Sequence, residues 1–424
     1  MPRPAAVLVA AALAAAALLS ACRVAPAGGA ADVANDSSAV AVPDVAVTPD
    51  GALFTTSVEG LGESRRLVVT RPDGASVEVA RGGVSDHSQA APRLVATGGG
   101  LLVLYAVEAA VEGRRFPASD LFLARSTDAG RTFGAPARVS PAGGPPTGHS
   151  FADVAATPAG DVVVSWLDQT KADAWTRSHP ESVAARPAGG RAAVRLVHSG
   201  ETHHGGAHHG ESGPGSSLVV ARSRDGGRTF GAPAEVAGGV CPCCRTALDV
   251  GPDGAVRVAW RHVWAGGERD PAVATSRDGG RTFGAPVRVH ADRWAVDGCP
   301  HAGPAVATDA AGRVHVAWYT GAPGRTGLWR AVSADGGATF GEPAALGPER
   351  VLGQTRAARS GRGDVWIAWE DRLTDRVHLA PAFGGDTTTV SGVDPALTGT
   401  PTGWALAVIN RGRVEVRTSA QRAR

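Results

Sequence analysis

The chain has 424 residues, with 42 Lys and Arg against 40 Asp and Glu, so its formal net charge is only +2. The basic residues are scattered arginines rather than a patch, so we expect no nucleic acid among its partners. A chain of this length can bury a large apolar core, and nothing after its N-terminal apolar segment predicts a membrane span.

The N-terminal segment is typical of a secretory signal. Arg3 precedes an apolar stretch from Ala5 to Leu19 that is too short and too rich in alanine for a comfortable membrane span. The stretch leads into Leu19-Ser20-Ala21-Cys22, which resembles the lipobox of bacterial lipoproteins. The resemblance implies a signal peptide at 1–22 and a lipid on Cys22. An ordinary signal peptide with an incidental cysteine is the alternative.

Residues 23–42 consist mainly of Ala, Gly, Ser, Asp and Pro, a composition that predicts a flexible tether. Two or more acyl chains hold a protein stably in a lipid bilayer. We therefore expect a protein of the cell envelope that is anchored in the bilayer through lipidated Cys22. It would lie on the outer side of the cytoplasmic membrane or in the outer membrane.

An octapeptide occurs four times, starting at Ser126, Ser223, Ser276 and Ser333. The third copy reads Ser276-Arg-Asp278-Gly-Gly280-Arg-Thr282-Phe283, and the last two intervals are 53 and 57 residues, a period typical of propeller blades. Asp can cap turn N–H groups, Gly supplies a positive φ, and Phe packs between sheets. The repeat resembles the Asp box of sialidases. This resemblance implies an all-β, sialidase-type β-propeller, with each box between the third and fourth strands of a blade.

A second repeat predicts the second strand of four blades, because its residues alternate as in a β-strand. Its copies are Val162–Trp166, Val256–Trp260, Val314–Trp318 and Val365–Trp369. The two repeats predict six blades, with seven as the alternative, within a propeller at 43–424. The expected blades are 43–82, 86–140, 148–236, 245–291, 300–346 and 352–391, and 400–420 is expected to close the ring against the first.

The third expected blade contains a large insertion at about 169–217, which carries His203, His204, His208 and His209. Glycine-flanked histidine pairs can capture Cu²⁺ or Zn²⁺, and a disordered polar insertion is the alternative. The insertion follows a second strand, so we expect it on the face opposite the Asp boxes.

Cysteine and histidine are expected to converge on the same face. The spacings Cys-x-x-Cys and Cys-x-His are typical of metal sites, and sulfur–nitrogen ligands favour a Zn or Cu ion. The candidate ligands are Cys241, Cys243, Cys244, Cys299, His301 and His149. Two structural disulfides are the first alternative, because an even number of cysteines in an oxidising compartment ordinarily pairs. A redox-active or free cysteine pair is the second.

The resemblance to sialidases also implies a catalytic set on this face. Three arginines would bind a substrate carboxylate, a tyrosine would act as the nucleophile with a glutamate partner, and an aspartate would act as the acid. The matching positions are Arg93, Arg245, Arg356, Tyr319, Glu370 and Asp86, with Asp168 as the alternative acid. The chain departs from the family where Ala91-Pro92-Arg93-Leu94 replaces the usual Phe-Arg-Ile-Pro.

Three hypotheses of function follow. The first is an envelope propeller that binds a ligand, which could be a glycan, a metal ion or a protein partner, on the face with the Cys/His cluster. The second is an exo-sialidase or a related glycoside hydrolase. The third is a scaffold for protein partners. We favour the first, because several separate loops bring cysteine and histidine to one face.

Overall fold

The computed structural model describes residues 40–112, 117–179, 215–296, 298, 300–347 and 353–420. The expected signal peptide, Cys22, the histidines of the insertion and Cys299 lie outside the described residues. The described chain forms 27 β-strands and the nine-residue helix α1 (Thr170–Ser178). No helix in this part of the chain is long and apolar enough to cross a membrane.

The strands of each sheet are antiparallel and pair in chain order. The first sheet contains β1 (Val40–Val47), β2 (Leu53–Glu59), β3 (Arg66–Thr70) and β4 (Ser76–Arg81). The second contains β5 (Arg93–Thr97), β6 (Gly100–Ala109), β7 (Ala118–Ser126) and β8 (Ala137–Arg138). The third contains β9 (His149–Ala156), β10 (Val162–Asp168), β11 (Ser216–Ser223) and β12 (Ala234–Val240).

The later sheets follow the same plan. The fourth contains β13 (Ala247–Val250), β14 (Val256–Val263), β15 (Arg269–Ser276) and β16 (Val287–Arg288). The fifth contains β17 (Ala305–Thr308), β18 (Val314–Thr320), β19 (Gly327–Ser333) and β20 (Ala344–Ala345). The sixth contains β21 (Thr355–Arg359), β22 (Val365–Asp371), β23 (Arg376–Pro381) and β24 (Thr388–Ser391). The last contains β25 (Val393–Thr400), β26 (Gly403–Asn410) and β27 (Arg413–Thr418).

Within the described chain, each first strand contacts the first strand of the next sheet, and β25 contacts β1. The third and fourth sheets are joined by one further pairing, Val240 with His262. The segment 400–420 packs against the first sheet, because β26 and β27 both contact β1. It pairs with β25 in a three-stranded sheet of its own. Residues 40–42, assigned to the tether, belong to β1.

The tryptophans of the second repeat anchor the core. Trp166, Trp260, Trp318 and Trp369 are fully or almost fully buried on β10, β14, β18 and β22. Each packs among aliphatic side chains of its own and the preceding sheet. These four strands are the second strands of their sheets, as the repeat predicted.

The Asp boxes lie on the turns between third and fourth strands, as expected. In the third copy, Ser276 Oγ accepts a hydrogen bond from Gly280 N at 2.8 Å. Asp278 Oδ1 accepts from Thr282 N at 2.9 Å, and its Oδ2 accepts from the Thr282 hydroxyl at 2.7 Å. Gly280 has a φ of +85°, which favours glycine.

The strand directions fix which loops share an edge of each sheet. First and third strands run the same way, so segments that enter a first strand lie opposite the Asp boxes. Loops that follow second strands lie at this edge too. We call it the mouth edge, and the other edge the Asp-box edge.

Candidate functional site

Strained residues mark the mouth edge. Val42, Phe151 and Asp394 have φ values of +47°, +57° and +52°, and each lies in a β-bulge near the start of a first strand. His301, just before β17, has a φ of +48°. Such conformations are costly for residues other than glycine and cluster at functional sites. A functional site is therefore expected among the side chains around these positions.

The three cysteines between β12 and β13 converge there. Cys241 Sγ lies 3.7 Å from Cys243 Sγ and 3.6 Å from Cys244 Sγ. All three side chains are buried, and the three sulfur atoms lie within 4.8 Å of one another. A disulfide bond is only about 2.05 Å long, so Cys241 is bonded to neither neighbour.

The spacing of the sulfur atoms suits a metal ion. A tetrahedral Zn²⁺ ion bound at about 2.3 Å by each of three thiolates places the sulfurs about 3.8 Å apart. The distances from Cys241 Sγ, 3.6 and 3.7 Å, are close to this value. Soft thiolate ligands also suit Cu⁺. The loop therefore offers three ligand atoms in an arrangement that one ion can occupy.

Two buried arginines contribute positive charge to the cluster. Arg269 Nη1 lies 3.7 Å from Cys241 Sγ, and its other hydrogen bond goes to a backbone carbonyl. Within the described residues Arg261 donates hydrogen bonds to backbone carbonyl oxygens alone, at 2.7–3.2 Å. Neither forms an ion pair with a carboxylate of the described chain. Because an unpaired buried charge is costly, these arginines favour negatively charged thiolates nearby.

The ionisation of the cysteines follows from these contacts. Hydrogen bonds from Cys243 and Cys244 lower the pKa of the Cys241 thiol well below its usual value, and Arg269 and Arg261 lower it further. Burial raises the pKa of the Cys244 thiol to about 12, and its hydrogen bond to Cys241 adds to this increase. Cys241 is therefore the first of this pair to become a thiolate.

His301 lies beside the cysteines. Its imidazole interacts with the Cys243 backbone, while Nδ1 is buried and has no hydrogen-bond partner among the described residues. A metal-binding histidine commonly donates one ring N–H to a carbonyl and binds the ion through the other nitrogen. The imidazole is not within the 4.8 Å group formed by the sulfurs, so binding through His301 requires its ring to move closer.

The other two candidate ligands differ. His149 Nδ1 lies 3.1 Å from Asp168 Oδ2. The two residues are cross-strand partners in the pairing of β9 with β10. His149 is not in the sulfur group. Cys299 lies outside the described residues. The sequence spacing thus identified three residues that the structure brings together and a fourth, His301, that it places next to them.

The three candidate arginines also meet. Arg93 donates to Asp153 Oδ1 at 2.8 Å and to Asp44 Oδ1 at 3.1 Å. Arg245 and Arg356 both donate to the Thr355 carbonyl oxygen, at 3.2 and 3.4 Å. The five charged side chains interact electrostatically. We call them the axial charge network: Arg93, Arg245, Arg356, Asp44 and Asp153.

This network carries three positive and two negative charges in a buried position. Burial lowers the pKa of Arg245 to about 10 and that of Arg356 well below its usual value, and neighbouring arginines add to both effects. Burial also raises the pKa of Asp44, although Arg93 opposes it. Two of the positive charges are therefore balanced by carboxylates of the chain itself.

The remaining candidate catalytic residues have other partners. Tyr319 is buried in an apolar cluster, with its ring 5.7 Å from that of Trp294, and burial raises its pKa. Glu370 accepts hydrogen bonds from the backbone N–H groups of Gln354 and Asp394, at 3.1 and 3.3 Å. Asp86 is half-exposed and pairs with Arg65 at 2.8 Å.

Sequence reasoning missed two charged residues near Glu370, Arg372 and Asp394. Arg372 Nε donates to Glu370 Oε2 at 3.3 Å. Burial, reinforced by the negative charge of Glu370, raises the pKa of Asp394 to about 6. Asp394 is the second residue of β25, in the last sheet, which carries neither sequence repeat. The sole local signal is Asp394 before Pro395, a pair that ordinary turns also use.

Comparison with known proteins supports the fold. No protein-family model matches the chain, and no curated protein matches its sequence. A Hadza microbial sialidase is 15% identical over 88% of this chain and 74% of its own, with a TM-score of 0.50. A puromycin hydrolase is 15% identical over 90% of this chain and 52% of its own, also with a TM-score of 0.50. A protein of unknown function from Dyadobacter fermentans is 16% identical over 90% and 94%, with a TM-score of 0.47.

At such low identity, structural similarity shows the fold alone. The chain has an all-β fold similar to that of sialidase β-propellers. The expected fold class is confirmed at this level. What the chain binds has to be argued from its own residues.

Proposed function

We propose that this protein binds a soft metal ion, Cu⁺ or Zn²⁺, through the thiolates of Cys241, Cys243 and Cys244. The observation that supports this function is the convergence of three buried sulfur atoms next to two buried arginines that have no carboxylate partner in the described chain. Cysteine thiolates select soft ions, and a buried site protects such an ion from water.

The charges at the site bear on which ion it holds. Three thiolates with Cu⁺ carry a net charge of −2, which the positive charges of Arg261 and Arg269 offset. With Zn²⁺ the thiolate complex carries −1, so the site as a whole keeps one positive charge. Charge balance therefore favours Cu⁺, while the sulfur spacing suits either ion. His301, with its unpartnered Nδ1, is the proposed fourth ligand.

Native mass spectrometry with elemental analysis tests the metal site. The protein is produced in an oxidising compartment with Cu or Zn supplied. We expect one ion per chain in the wild type, none in Cys244→Ser, and one in the control His262→Ala, which changes a histidine outside the cluster. Melting curves verify that each variant is folded. A metal-free wild type whose mass is about four protons below that of the reduced chain would show two disulfides instead.

A second candidate function is an exo-sialidase or related glycoside hydrolase, with a glycan as the ligand. The convergence of Arg93, Arg245 and Arg356 favours it, because three guanidinium groups can bind one carboxylate. Asp44 and Asp153 already occupy Arg93, however, and Tyr319 is packed in the core. Incubation with a fluorogenic sialoside tests the activity. Uncleaved substrate, at enzyme levels where a known sialidase consumes it, would exclude this function.

Seven successive sheets in the described chain, with the joined third and fourth sheets counted separately, and the contact between β25 and β1 support a ring of seven blades, the alternative to the six that the two repeats predicted. The lipobox-like sequence supports anchoring through Cys22 in the cell envelope. Mass spectrometry of protein extracted from membranes tests the anchor. A mature chain that begins at Cys22 and carries acyl chains is expected, and an unmodified Cys22 would contradict it.

A further inference from the structure

A cavity of about 830 Å³ opens at the Asp-box edge, away from the cysteines. Hairpin turns between first and second strands form its wall, including the turns around Pro49, Pro158 and Pro252. Two arginines, Arg125 and Arg359, also line it. Its volume lies within the range of ordinary small-molecule sites, roughly 300–1,000 Å³.

Arg125 has a counterpart in the next sheet, Arg222, which pairs with an acid that Arg125 lacks. Arg125 precedes Ser126, which pairs with Leu101, and Arg222 precedes Ser223, which pairs with Val162. Arg222 forms an ion pair with Asp161, the residue just before Val162. The residue just before Leu101 is Gly100, so the second sheet has no acid at this position.

The backbone prevents an acid from being placed there. A Cβ atom at Gly100 would lie 1.9 Å from the Ser126 carbonyl oxygen, so only glycine fits. Among the described residues neither Arg125 Nε nor Arg222 Nε has a hydrogen-bond partner, so the two arginines differ in the ion pair that Arg222 makes with Asp161. No residue of the described chain forms an ion pair with the Arg125 guanidinium. A guanidinium without a carboxylate partner favours an anion supplied from outside, because charge-assisted hydrogen bonds to an anion are strong.

Arg359 adds a second positive charge to the wall. It ends β21, and no described residue forms a hydrogen bond or ion pair with its side chain. Its guanidinium acts on buried Asp249 only at longer range. The cavity therefore has two guanidinium groups without a bound carboxylate, together with apolar proline and alanine surface. This combination suits a molecule with one anionic group on a compact body.

We propose that this cavity binds a small organic anion whose carboxylate or sulfate group pairs with Arg125 and Arg359. The anionic group takes the part that Asp161 plays for Arg222 in the neighbouring sheet. The site is independent of the metal site, because it lies at the opposite edge of the sheets and shares no residue with it.

Isothermal titration calorimetry with D-glucuronate tests the proposal, with uncharged D-glucose as the ligand control. We expect saturable binding of glucuronate, competition by inorganic sulfate, and no binding of glucose. Arg125→Gln and Arg359→Gln should each weaken glucuronate binding at least tenfold, because a charge-assisted hydrogen bond is lost. Arg281→Gln removes the same charge from an exposed Asp-box turn and should leave the binding unchanged. Cys244→Ser should also leave it unchanged.

Two results would overturn the proposal. One is the absence of binding for both glucuronate and sulfate to the wild-type protein. The other is binding that Arg125→Gln and Arg359→Gln leave unaltered. If a variant does not fold, as judged by its melting curve, a crystal of the wild type soaked in selenate decides the matter. Selenate between Arg125 and Arg359 supports the proposal, and its absence from this cavity refutes it.

Discussion

The axial charge network offers the sharpest test of the fold's energetics. Asp153→Asn removes one of its two negative charges and preserves the shape of the side chain. Asp153 Oδ1 accepts from Arg93 Nε at 2.8 Å, and Oδ2 accepts from Leu248 N at 2.8 Å. Asn has one oxygen, so one of these donors loses its acceptor. Three buried arginines would then share the single carboxylate of Asp44.

The expected loss of stability is large. Removing one partner of a buried ion pair costs about 3–5 kcal/mol, because the other charge stays buried and uncompensated. Arg93 and Asp153 are both largely buried, with side-chain exposures of 16% and 6%, so solvent screens the pair little. We therefore expect Asp153→Asn to lower the free energy of unfolding by about 3–5 kcal/mol near neutral pH.

Urea denaturation monitored by tryptophan fluorescence measures this loss. Asp73→Asn, which breaks an exposed pair with Arg71, is the matched control and should scarcely change the midpoint. Burial raises the pKa of Asp153, but Arg93 and Arg245 outweigh it, so the pKa is lowered overall. The stabilisation by Asp153 is thus present above its unfolded pKa of about 3.9 and lost as the pH falls below that value. A difference from wild type under about 1 kcal/mol near pH 7 would refute the reasoning.

Three further predictions concern other parts of the molecule. Asp278→Asn should lower the melting temperature near pH 7, because hydrogen bonds from Thr282 and Ser276 hold the pKa of Asp278 below its usual range. The difference in melting temperature between variant and wild type should shrink as the pH falls from about 4 to about 2, and a constant difference would contradict this. Glu370→Gln should lower the pKa of Asp394 from about 6 towards its usual value, as followed by carboxyl NMR, and an unchanged titration would show that Glu370 has no part in the shift. A thiol-competitive chelator should lower the melting temperature of metal-loaded protein but not that of Cys244→Ser, and equal effects on both would place the ion elsewhere.

Local patterns made much of the fold predictable. The Asp box and the strand that ends in Trp each depend on interactions within one hairpin or between adjacent sheets. Their positions in the structure therefore match those expected from the sequence. The last sheet has no Asp box, and Trp404 lies at the start of β26 rather than at its end. Because this part of the chain lacks both repeats, the sequence did not distinguish a separate last sheet from a segment that closes the ring.

In the candidate site too, contacts between residues close in sequence were predictable and contacts between distant residues were not. Cys241, Cys243 and Cys244 are close in sequence, so their convergence followed from spacing alone. The partners of Arg93 are Asp44 and Asp153, which are 49 and 60 residues away, and spacing gives no information about such pairs. Tyr319 follows Trp318, and adjacent residues of a strand face opposite sides of a sheet. The sequence alone did not decide whether Tyr319 faces the mouth edge or the core between sheets, where the structure places it.

X-ray absorption spectroscopy of the metal-loaded protein tests the central claim most directly. We expect three sulfur ligands at about 2.3 Å around a single Cu⁺ or Zn²⁺ ion in the wild type, and no bound ion in Cys244→Ser. In His301→Ala the contribution of a nitrogen ligand should disappear while the sulfur ligands remain. An ion surrounded only by oxygen and nitrogen in the wild type, or a protein that retains no ion, would contradict the proposed metal site.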